Sequence, residues 1–435
     1  MCHCRWSQVS RFLDRPYLSL VPFLACLMAL LTWPACARAP LLSGVTAQPP
    51  RFVAGERGGT TITYRVGRTA DVSIYVEDAA GRRYTLRHNV RRAPDEYAFR
   101  FDGAVSPPDP VAAGDGFLVE RQVLPPGTYT YIVSAQAGSE TAELRGTLTI
   151  TGADTTLPEV RDLDVYPPRF TPNLDGFDDE VKISYVLTKR ADVDVYLEPA
   201  TLGAVATPHP TPANQPGWRV ATPAPGTASG KPPRFFIAQQ RDVPPGLYQH
   251  TWDGGVWNKV VPPPDGDYRL IVRATDSAGN VVRAERRLTI AEGGIPQAQI
   301  VSATITPHSV PLGGVVKVEV TVKNTGSVPI RSTGPPPGTQ YTSEENFNTK
   351  GYYEEPGAFR VGLDYEGNSI GREYPYRWGL GKEYLAPGES VTVVGYLQVT
   401  LKTPRPQPHF FVGLIHEDVA KVEDRRFPTK ITIGF

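Results

Sequence analysis

The stretch "ISYVLTKRADVDVYLE" (Ile183–Glu198) contains two short runs in which Val, Ile and Tyr alternate with polar residues. Such alternation is typical of half-buried antiparallel strands. Similar runs, such as "TTITYRV", "TYTYIVSA" and "VVKVEVTVKN", recur along the chain between Pro, Gly and Asp residues. Proline (44) and glycine (41) are abundant, and no long segment has apolar residues at helical spacing. The sequence therefore predicts an all-β protein built of antiparallel β-sandwiches.

The same stretch has an upstream counterpart, because "ITYRVGRTADVSIYVE" (Ile62–Glu77) aligns with it without a gap. Further matches follow in the same order: Phe101-Asp102-Gly103 with Trp252-Asp253-Gly254, "PPGTYTYIVSA" (125–135) with "PDGDYRLIVRA" (264–274), and Leu-Thr-Ile at 148–150 and 288–290. A conserved order of matches indicates a duplicated module. We place the first unit at 41–153 and the second at 156–292.

The second unit resembles the FlgD/Vpr-type immunoglobulin-like module. That family typically reads S-P-N-x-D-G-x-x-D, followed by I-x-Y, A-D-V, W-D-G, P-D-G-x-Y and A-x-D-x-A-G-N. Thr171 replaces the first serine, and the first unit is a degenerate copy that lacks the Pro-Asn-x-Asp-Gly segment and has Phe101 for the tryptophan. The resemblance implies tandem immunoglobulin-like sandwiches, found on secreted and cell-surface bacterial proteins and in the flagellar hook cap, and it implies no catalytic activity.

Residues 295–435 resemble a CARDB-like adhesion β-sandwich. The resemblance rests on "VKVEVTVKNTG" and on "LAPGESVTVVGYLQVTL", where a strand ends in Lys-Asn-Thr-Gly and a later strand follows Ala-Pro-Gly-Glu-Ser. The segment 341–384 between them is predicted to be a loop and is dense in aromatic residues, arginine and acids. Loops rich in aromatic residues and arginine are typical of recognition surfaces. We predict a ligand site there, at Tyr374, Tyr376, Arg377 and Trp378. The alternative is a long aromatic-rich hairpin that completes the domain's own core.

The first 39 residues have the pattern of a secretory signal peptide. Arginines precede the apolar run "YLSLVPFLACLMALLTW", and "ACARA" ends at Ala39. The alternative is a retained membrane anchor, although the run is near the lower length limit for a spanning helix and Pro22 interrupts it. All four cysteines lie in this leader, so the mature chain would have no disulfide and no thiolate metal site.

After removal of the leader the chain has 41 basic and 44 acidic residues. This balance does not favour binding to nucleic acid, and no second apolar stretch is long enough for membrane insertion. We therefore expect an extracytoplasmic protein, secreted or associated with the cell surface, whose partners are other surface proteins or glycans.

Two further segments carry specific predictions. The Pro-rich insert 199–247 interrupts the second unit, and its prolines favour extended structure. It is interpreted as an elaborated loop, with a partner-binding arm as the alternative. The loop "TPNLDGFDDE" (171–180) is a candidate for structural calcium held by Asn173, Asp175, Asp178 and Asp179, because hard cations accept varied carboxylate loops. The alternative is a plain turn into the following strand.

Sequence motifs for catalysis are missing. "LIHEDVA" (414–420) begins like a zinc-protease motif, but the second histidine that the motif requires is replaced by Ala420. No phosphate-binding loop or nucleophile elbow is present. We therefore expect a non-enzymatic protein that serves adhesion, envelope structure or assembly. The alternative is a carbohydrate-binding or accessory component of an extracellular degradative system.

Overall fold

The computed structural model describes residues 39–55, 58–107, 111–113, 116–200 and 232–434. These residues form β-strands and connecting turns, with one short 3₁₀ helix at Val256–Asn258. The predicted all-β fold of immunoglobulin-like sandwiches is confirmed. The signal-peptide prediction falls almost wholly outside the described residues, as does the proline-dense part of the insert, 201–231. No helix within the described ranges has the length and hydropathy needed to span a bilayer.

The first unit contains eleven strands among its described residues: β1 Leu42–Gln48, β2 Arg51–Val53, β3 Thr60–Val66, β4 Ala70–Glu77, β5 Arg83–Arg92, β6 Asp95–Phe101, β7 Ala104–Val105, β8 Val111–Ala113, β9 Phe117–Val123, β10 Gly127–Ala137 and β11 Glu140–Gly152. One sheet has the order β1-β3-β6 and the other β2-β11-β10-β4-β5. Strands β7 to β9 belong to neither sheet, because they extend the sheet of the second unit.

The second unit repeats this arrangement with β12 Val160–Tyr166, β13 Arg169–Phe170, β14 Val181–Leu187, β15 Ala191–Pro199, β16 Phe235–Val243, β17 Gly246–Trp252, β18 Gly266–Thr275 and β19 Val281–Ile290. Its sheets have the orders β12-β14-β17 and β16-β15-β18-β19, and β13 pairs with β19 in parallel. The two sheets thus match those of the first unit strand for strand.

The third unit contains β20 Ala298–Thr306, β21 Ser309–Pro311, β22 Val315–Asn324, β23 Ile330–Arg331, β24 Gln340–Thr342, β25 Phe359–Tyr365, β26 Tyr376–Gly379, β27 Tyr384–Leu385, β28 Ser390–Gln398, β29 His409–His416, β30 Ala420–Lys430 and β31 Thr432–Gly434. Its main sheets are β20-β22-β28-β24 and β26-β25-β29-β30. All three units begin alike. A cis peptide bond precedes Pro49, Pro167 or Pro307, and a short strand then pairs in parallel with the unit's last strand.

The cores are built from the alternating residues that the sequence pattern picks out. Tyr64 and Tyr185 occupy equivalent positions and are fully buried, and each stacks on a tyrosine of the neighbouring strand, Tyr97 or Tyr248, with ring centroids 5.6 and 5.7 Å apart. The repeated Pro-x-Gly-x-Tyr turn also has a clear role. The Tyr129 hydroxyl donates to the carbonyl of Pro125 at 2.8 Å, and the Tyr268 hydroxyl donates to that of Pro264 at 2.5 Å. Such a tyrosine corner fixes the entry into a strand of an immunoglobulin-like sandwich.

Two segments predicted from the sequence, the insert 199–247 and the loop 341–384, need correction. The insert assigned to 199–247 is too long, because Phe235–Val243 forms the edge strand β16 and pairs with β15. Its aromatic rings pack on the sandwich, with Phe235 against Tyr268 and Phe236 against Tyr196, because the register with β15 turns them towards those rings. The aromatic-rich segment 341–384 is not a loop either, since it contributes the strands β25 and β26 to a main sheet.

Candidate functional site

The four side chains nominated as a ligand site lie inside the third unit. Tyr376 and Trp378 have no exposed surface, and Tyr374 and Arg377 are 2 % and 9 % exposed. The Trp378 indole N–H donates to the Thr339 carbonyl at 2.9 Å, which satisfies its polar atom inside the core. These residues therefore do not form an exposed recognition surface. The aromatic-rich strands complete the domain's own core, which was the alternative interpretation.

Arg377 belongs to a buried charge cluster with Arg360 and Glu417. Both Arg377–Glu417 contacts are short: Nη1 lies 2.9 Å from Oε1 and 2.7 Å from Oε2. Arg360, with no exposed surface, places Nη1 3.3 Å from Glu417 Oε1. The ring of Phe347 underlies both guanidinium groups, at 5.7 and 4.4 Å from its centroid. Removing Glu417 would leave two buried guanidinium groups without a counter-charge, and breaking a buried ion pair in this way typically costs about 3–5 kcal/mol.

The loop 171–180 folds around the carboxylate of Asp179. Its Oδ1 accepts from the backbone N–H of Asn173 and Asp175 at 3.3 and 3.2 Å, and its Oδ2 accepts from that of Gly176 at 2.7 Å. The Asn173 side-chain oxygen shares the Asp175 N–H at 3.0 Å, and Asp175 Oδ1 accepts from the Phe177 N–H at 3.0 Å. Burial raises the Asp179 pKa to about 6 and also raises the Asp175 pKa.

This geometry does not support the calcium prediction for Asn173, Asp175, Asp178 and Asp179. Three of these side chains direct oxygens at backbone N–H groups of their own loop, where a cation would need them to converge on one point. Within the described ranges no group of three or more His, Cys, Asp or Glu side chains is arranged to hold a metal ion. The hydrogen-bonded turn, the alternative interpretation, describes the segment.

The turn docks on the third unit. Arg331 Nε donates to the Asp175 carbonyl at 2.6 Å, while its Nη2 donates to the Pro356 carbonyl at 2.5 Å. The guanidinium also lies over the ring of Phe177, 4.8 Å from its centroid. The side chain of His416 is buried, and its Nε2–H donates to the Leu174 carbonyl at 2.8 Å. The loop that marks the module in sequence is therefore the junction between the second and third units.

Two glycines allow the backbones to meet at this junction. A Cβ on Gly176 would lie 2.2 Å from the Pro356 carbonyl oxygen, and a Cβ on Gly357 would lie 2.2 Å from the Asp175 carbonyl carbon. Both residues have positive φ, 92° and 78°, a conformation that glycine adopts without steric cost. Any side chain at either position would push the two units apart.

Burial sets the ionisation of the charged groups behind the junction. It lowers the pKa of His416 to about 4, so the imidazole is neutral near pH 7. It also raises the pKa of the adjacent Glu417, against the lowering effect of Arg377 and Arg360. Both residues belong to the "HED" of the incomplete zinc-protease motif. In the structure His416 donates to the Leu174 carbonyl, and Glu417 pairs with Arg377.

The first junction is made by strand addition. Strand β9 of the first unit pairs antiparallel with β19 of the second over Val281–Ala284. Glu120 on β9 forms ion pairs with Arg273 at 2.8 Å and Arg283 at 3.5 Å. The first unit thus supplies a strand to the sheet of the second, and a glutamate of the first unit pairs with two arginines of the second at the contact.

Asn280 lies at the centre of this first junction. Its side chain is fully buried, and its Oδ1 accepts from the Val123 N–H at 2.8 Å. Its Nδ2 donates to the Asp154 carbonyl of the linker and to the Asp276 carboxylate, both at 2.9 Å. Asp276 also forms an ion pair with Lys189. Asp276 and Asn280 are the polar residues of the Asp-x-Ala-Gly-Asn segment that sequence reasoning singled out without giving it a role.

Sequence reasoning missed Arg331 and His416 as junction residues and Arg360 and Glu417 as buried charges. The Asp-Gly turn and the Ala-Gly-Asn segment, both polar and turn-forming, were the sequence features that lie at the two junctions. Nothing in the sequence indicates their partners, since Arg331 and His416 are far away along the chain.

No protein-family model and no curated protein match this chain. Solved structures similar to it include Escherichia coli alpha-2-macroglobulin activated by porcine elastase, with 11% identity and a TM-score of 0.20, over 91% of this chain and 33% of that one. Salmonella alpha-2-macroglobulin reacted with methylamine is 11% identical at a TM-score of 0.21, over 88% of this chain and 30% of that one. The chain therefore spans about a third of the length of these proteins.

A Corynebacterium diphtheriae protein described as membrane anchored is also similar, with 11% identity, a TM-score of 0.17 and coverage of 90% of this chain and 91% of that one. At such identities and scores, these likenesses carry no argument about the function of this chain.

Proposed function

We propose that the protein is a non-enzymatic, secreted or cell-surface protein of tandem immunoglobulin-like domains that serves adhesion, envelope structure or assembly. The observation that carries the proposal is that both junctions between units are held by specific contacts. The first combines strand addition with the buried Asn280, and the second combines Arg331, His416 and two close glycine contacts. Such contacts hold neighbouring domains in fixed positions, which suits a protein whose function is structural or adhesive.

The hydrogen bonds made by the carboxylates with shifted pKa values support the same proposal. Catalytic sites gather groups with shifted pKa values in a cleft, where a substrate can reach them. In the described part of the chain, the carboxylates with raised pKa values are Asp175, Asp179, Asp364 and Glu417, and each accepts hydrogen bonds from the fold itself. We therefore propose structural roles for these groups. We also retain the FlgD/Vpr-type and CARDB-like relationships as part of the proposal.

Cell fractionation tests the location directly. Intact producing cells are treated with a non-permeant protease, and the chain is followed by antibody in the medium, the envelope and the cytoplasm. We expect the chain in the medium or in the protease-sensitive envelope fraction, with a new N-terminus near residue 40. A full-length chain confined to the cytoplasm would overturn the proposal.

A second candidate, binding of carbohydrate, no longer rests on Tyr376 and Trp378. It is favoured by a different feature, an open polar cleft of about 630 Å³ in the third unit. A volume of this size falls within the range of small-ligand sites.

A further inference from the structure

The cleft of the third unit lies between the loop 366–375, which joins β25 to β26, and a second loop that contains Pro404 and Arg405. Three arginines from separate segments line it: Arg372, Arg405 and Arg425. The loops touch at Gly367, where a Cβ would lie 3.0 Å from the Pro404 ring. The cleft is therefore a defined space between two packed loops, lined by arginines from three segments, of which Arg372 pairs with Glu354.

A buried carboxylate fixes the first loop. Asp364 Oδ1 accepts from the Tyr365 N–H at 2.7 Å and the Asn368 side-chain amide at 2.8 Å, and its Oδ2 accepts from the Tyr374 N–H at 2.9 Å. The Asn368 amide also donates to the Arg372 carbonyl at 2.8 Å, which holds the backbone of that arginine. The cleft wall is therefore preorganised, as recognition sites require.

Arg425 is held in an unusual conformation on the opposite wall. Its φ is 48°, which is uncommon for a non-glycine residue, and its N–H donates to the Tyr374 hydroxyl at 2.8 Å. Its guanidinium lies over Phe411, 4.9 Å from the ring centroid. Within the described ranges no carboxylate lies at ion-pair distance from this guanidinium, although its charge lowers the pKa of the buried Asp364 from further away, against the larger raising effect of burial.

The carboxylates that line the cleft, by contrast, have partners. Asp364 is used by the loop. Glu366 Oε2 lies 3.1 Å from His409 Nδ1 and 3.7 Å from Arg405, and Glu373 pairs with Lys421 at 2.9 Å. Arg405 keeps 72 % of its side chain exposed, so its long contact with Glu366 leaves donors free. The unsatisfied capacity of the cleft is therefore cationic, from Arg425 and Arg405.

We propose that this cleft binds a carboxylated saccharide, with Arg425 and Arg405 as the groups that receive the carboxylate. A guanidinium donates two parallel N–H groups that match the two oxygens of a carboxylate. The polar lining suits a sugar, because a hydroxyl group can donate to the Glu373 carboxylate, whose side chain stays 72 % exposed beside its pair with Lys421. An acidic peptide is a poorer fit, because peptide anchors need apolar pockets and Phe411 is covered by Arg425. The inference deepens the second candidate function and is independent of cell location.

Calorimetric titration of the full chain with trigalacturonate tests the proposal, and neutral galactotriose and a tri-aspartate peptide serve as comparison ligands. We expect binding of trigalacturonate that is at least tenfold tighter than binding of either comparison ligand. Because the contact is ionic, the affinity should fall as salt is raised. Undetectable trigalacturonate binding at millimolar concentration, or equal binding of galactotriose or the peptide, would overturn the proposal.

Matched variants identify the groups. Arg425→Gln should weaken trigalacturonate binding about tenfold or more, since a hydrogen bond to a charged group is lost. Arg426→Gln is the control, because Arg426 is the next residue on the same strand, pairs with Glu423 and does not line the cleft. Arg405→Gln provides a second test on a different loop, in case Arg425→Gln disturbs the strand. Unchanged affinity in both Arg425→Gln and Arg405→Gln would refute the assignment, whereas failure of surface location would leave it intact.

Discussion

Acidification should weaken the junction between the second and third units through His416. This imidazole is buried, it donates to the Leu174 carbonyl across the junction, and burial lowers its pKa to about 4. The pKa of an unperturbed histidine is about 6.5. A folded pKa below the unfolded one means that the folded state favours the neutral form. The stabilisation is therefore complete above about pH 6.5 and is lost as the pH falls through about 4.

The size of the effect follows from the two pKa values. A difference of about 2.5 pH units corresponds to about 3.4 kcal/mol at 1.36 kcal/mol per unit. Relative to pH 8, linkage gives a loss of about 2 kcal/mol at pH 5 and about 3 kcal/mol at pH 4. His416 is only 4 % exposed, so little of this is removed by solvent screening.

Asp179 lies on the same junction and titrates in the opposite sense. Its folded pKa of about 6 exceeds the ordinary value near 3.9, so its protonated form is favoured in the folded state. The contribution of this carboxyl group to the free energy of unfolding is therefore lost as the pH rises from about 4 to about 6. The histidine is therefore isolated by comparing two proteins at each pH, the wild type and His416→Gln, whose amide N–H can still donate to the Leu174 carbonyl.

Urea unfolding of both proteins between pH 4.5 and pH 8 measures the effect. We expect the wild type to lose about 2 kcal/mol more than His416→Gln between pH 8 and pH 5. His308→Gln, in the same unit, controls for a general effect of removing a histidine and should follow the wild-type profile. A difference between wild type and His416→Gln that stays constant within about 0.5 kcal/mol over this range would refute the burial argument.

Other perturbations have equally definite outcomes. Gly357→Ala should lower the melting temperature far more than Gly388→Ala, because both have φ of 78° but only the first has backbone within 2.2 Å of an added Cβ; equal shifts in a thermal scan would contradict the close contact. Asn280→Ala should destabilise the first junction by about 2–4 kcal/mol in urea unfolding, because several buried hydrogen bonds are lost. Trp378→Ala should cost about 3–5 kcal/mol as a core truncation, and retention of wild-type stability would argue for a surface role. Glu417→Gln should cost about 3–5 kcal/mol by leaving two buried guanidinium groups without a counter-charge, with hydrogen exchange of the third unit as the measurement.

The fold class could be predicted from sequence because strand alternation is a local property. The duplication was visible for the same reason, since Tyr64 and Tyr185 recur in similar local sequences, and both are fully buried and stack on a tyrosine of the neighbouring strand. The similar opening of the third unit was not detected from sequence. Its opening, with a cis bond before Pro307 and a short strand paired in parallel with the last one, has no distinctive local sequence.

The site residues show where local reasoning ends. A dense aromatic and arginine composition describes a recognition surface and a charged core equally well, and only the pairing of β25 with β26 and β29 buried Tyr376 and Trp378. The carboxylates of 171–180 were similarly ambiguous between a cation cage and a capped turn. The direction of the Asp179 oxygens decided between the two.

By itself, the sequence determined an all-β chain of repeated sandwich units, because alternation, turn residues and repeats depend on neighbours along the chain. Only the tertiary structure decided how the units are joined, because each junction links residues that are distant in sequence. Arg331 contacts Asp175 across 156 positions, and the amide of Val123 contacts Asn280 across 157. Contacts of this kind depend on the relative placement of whole sheets, which no local pattern encodes.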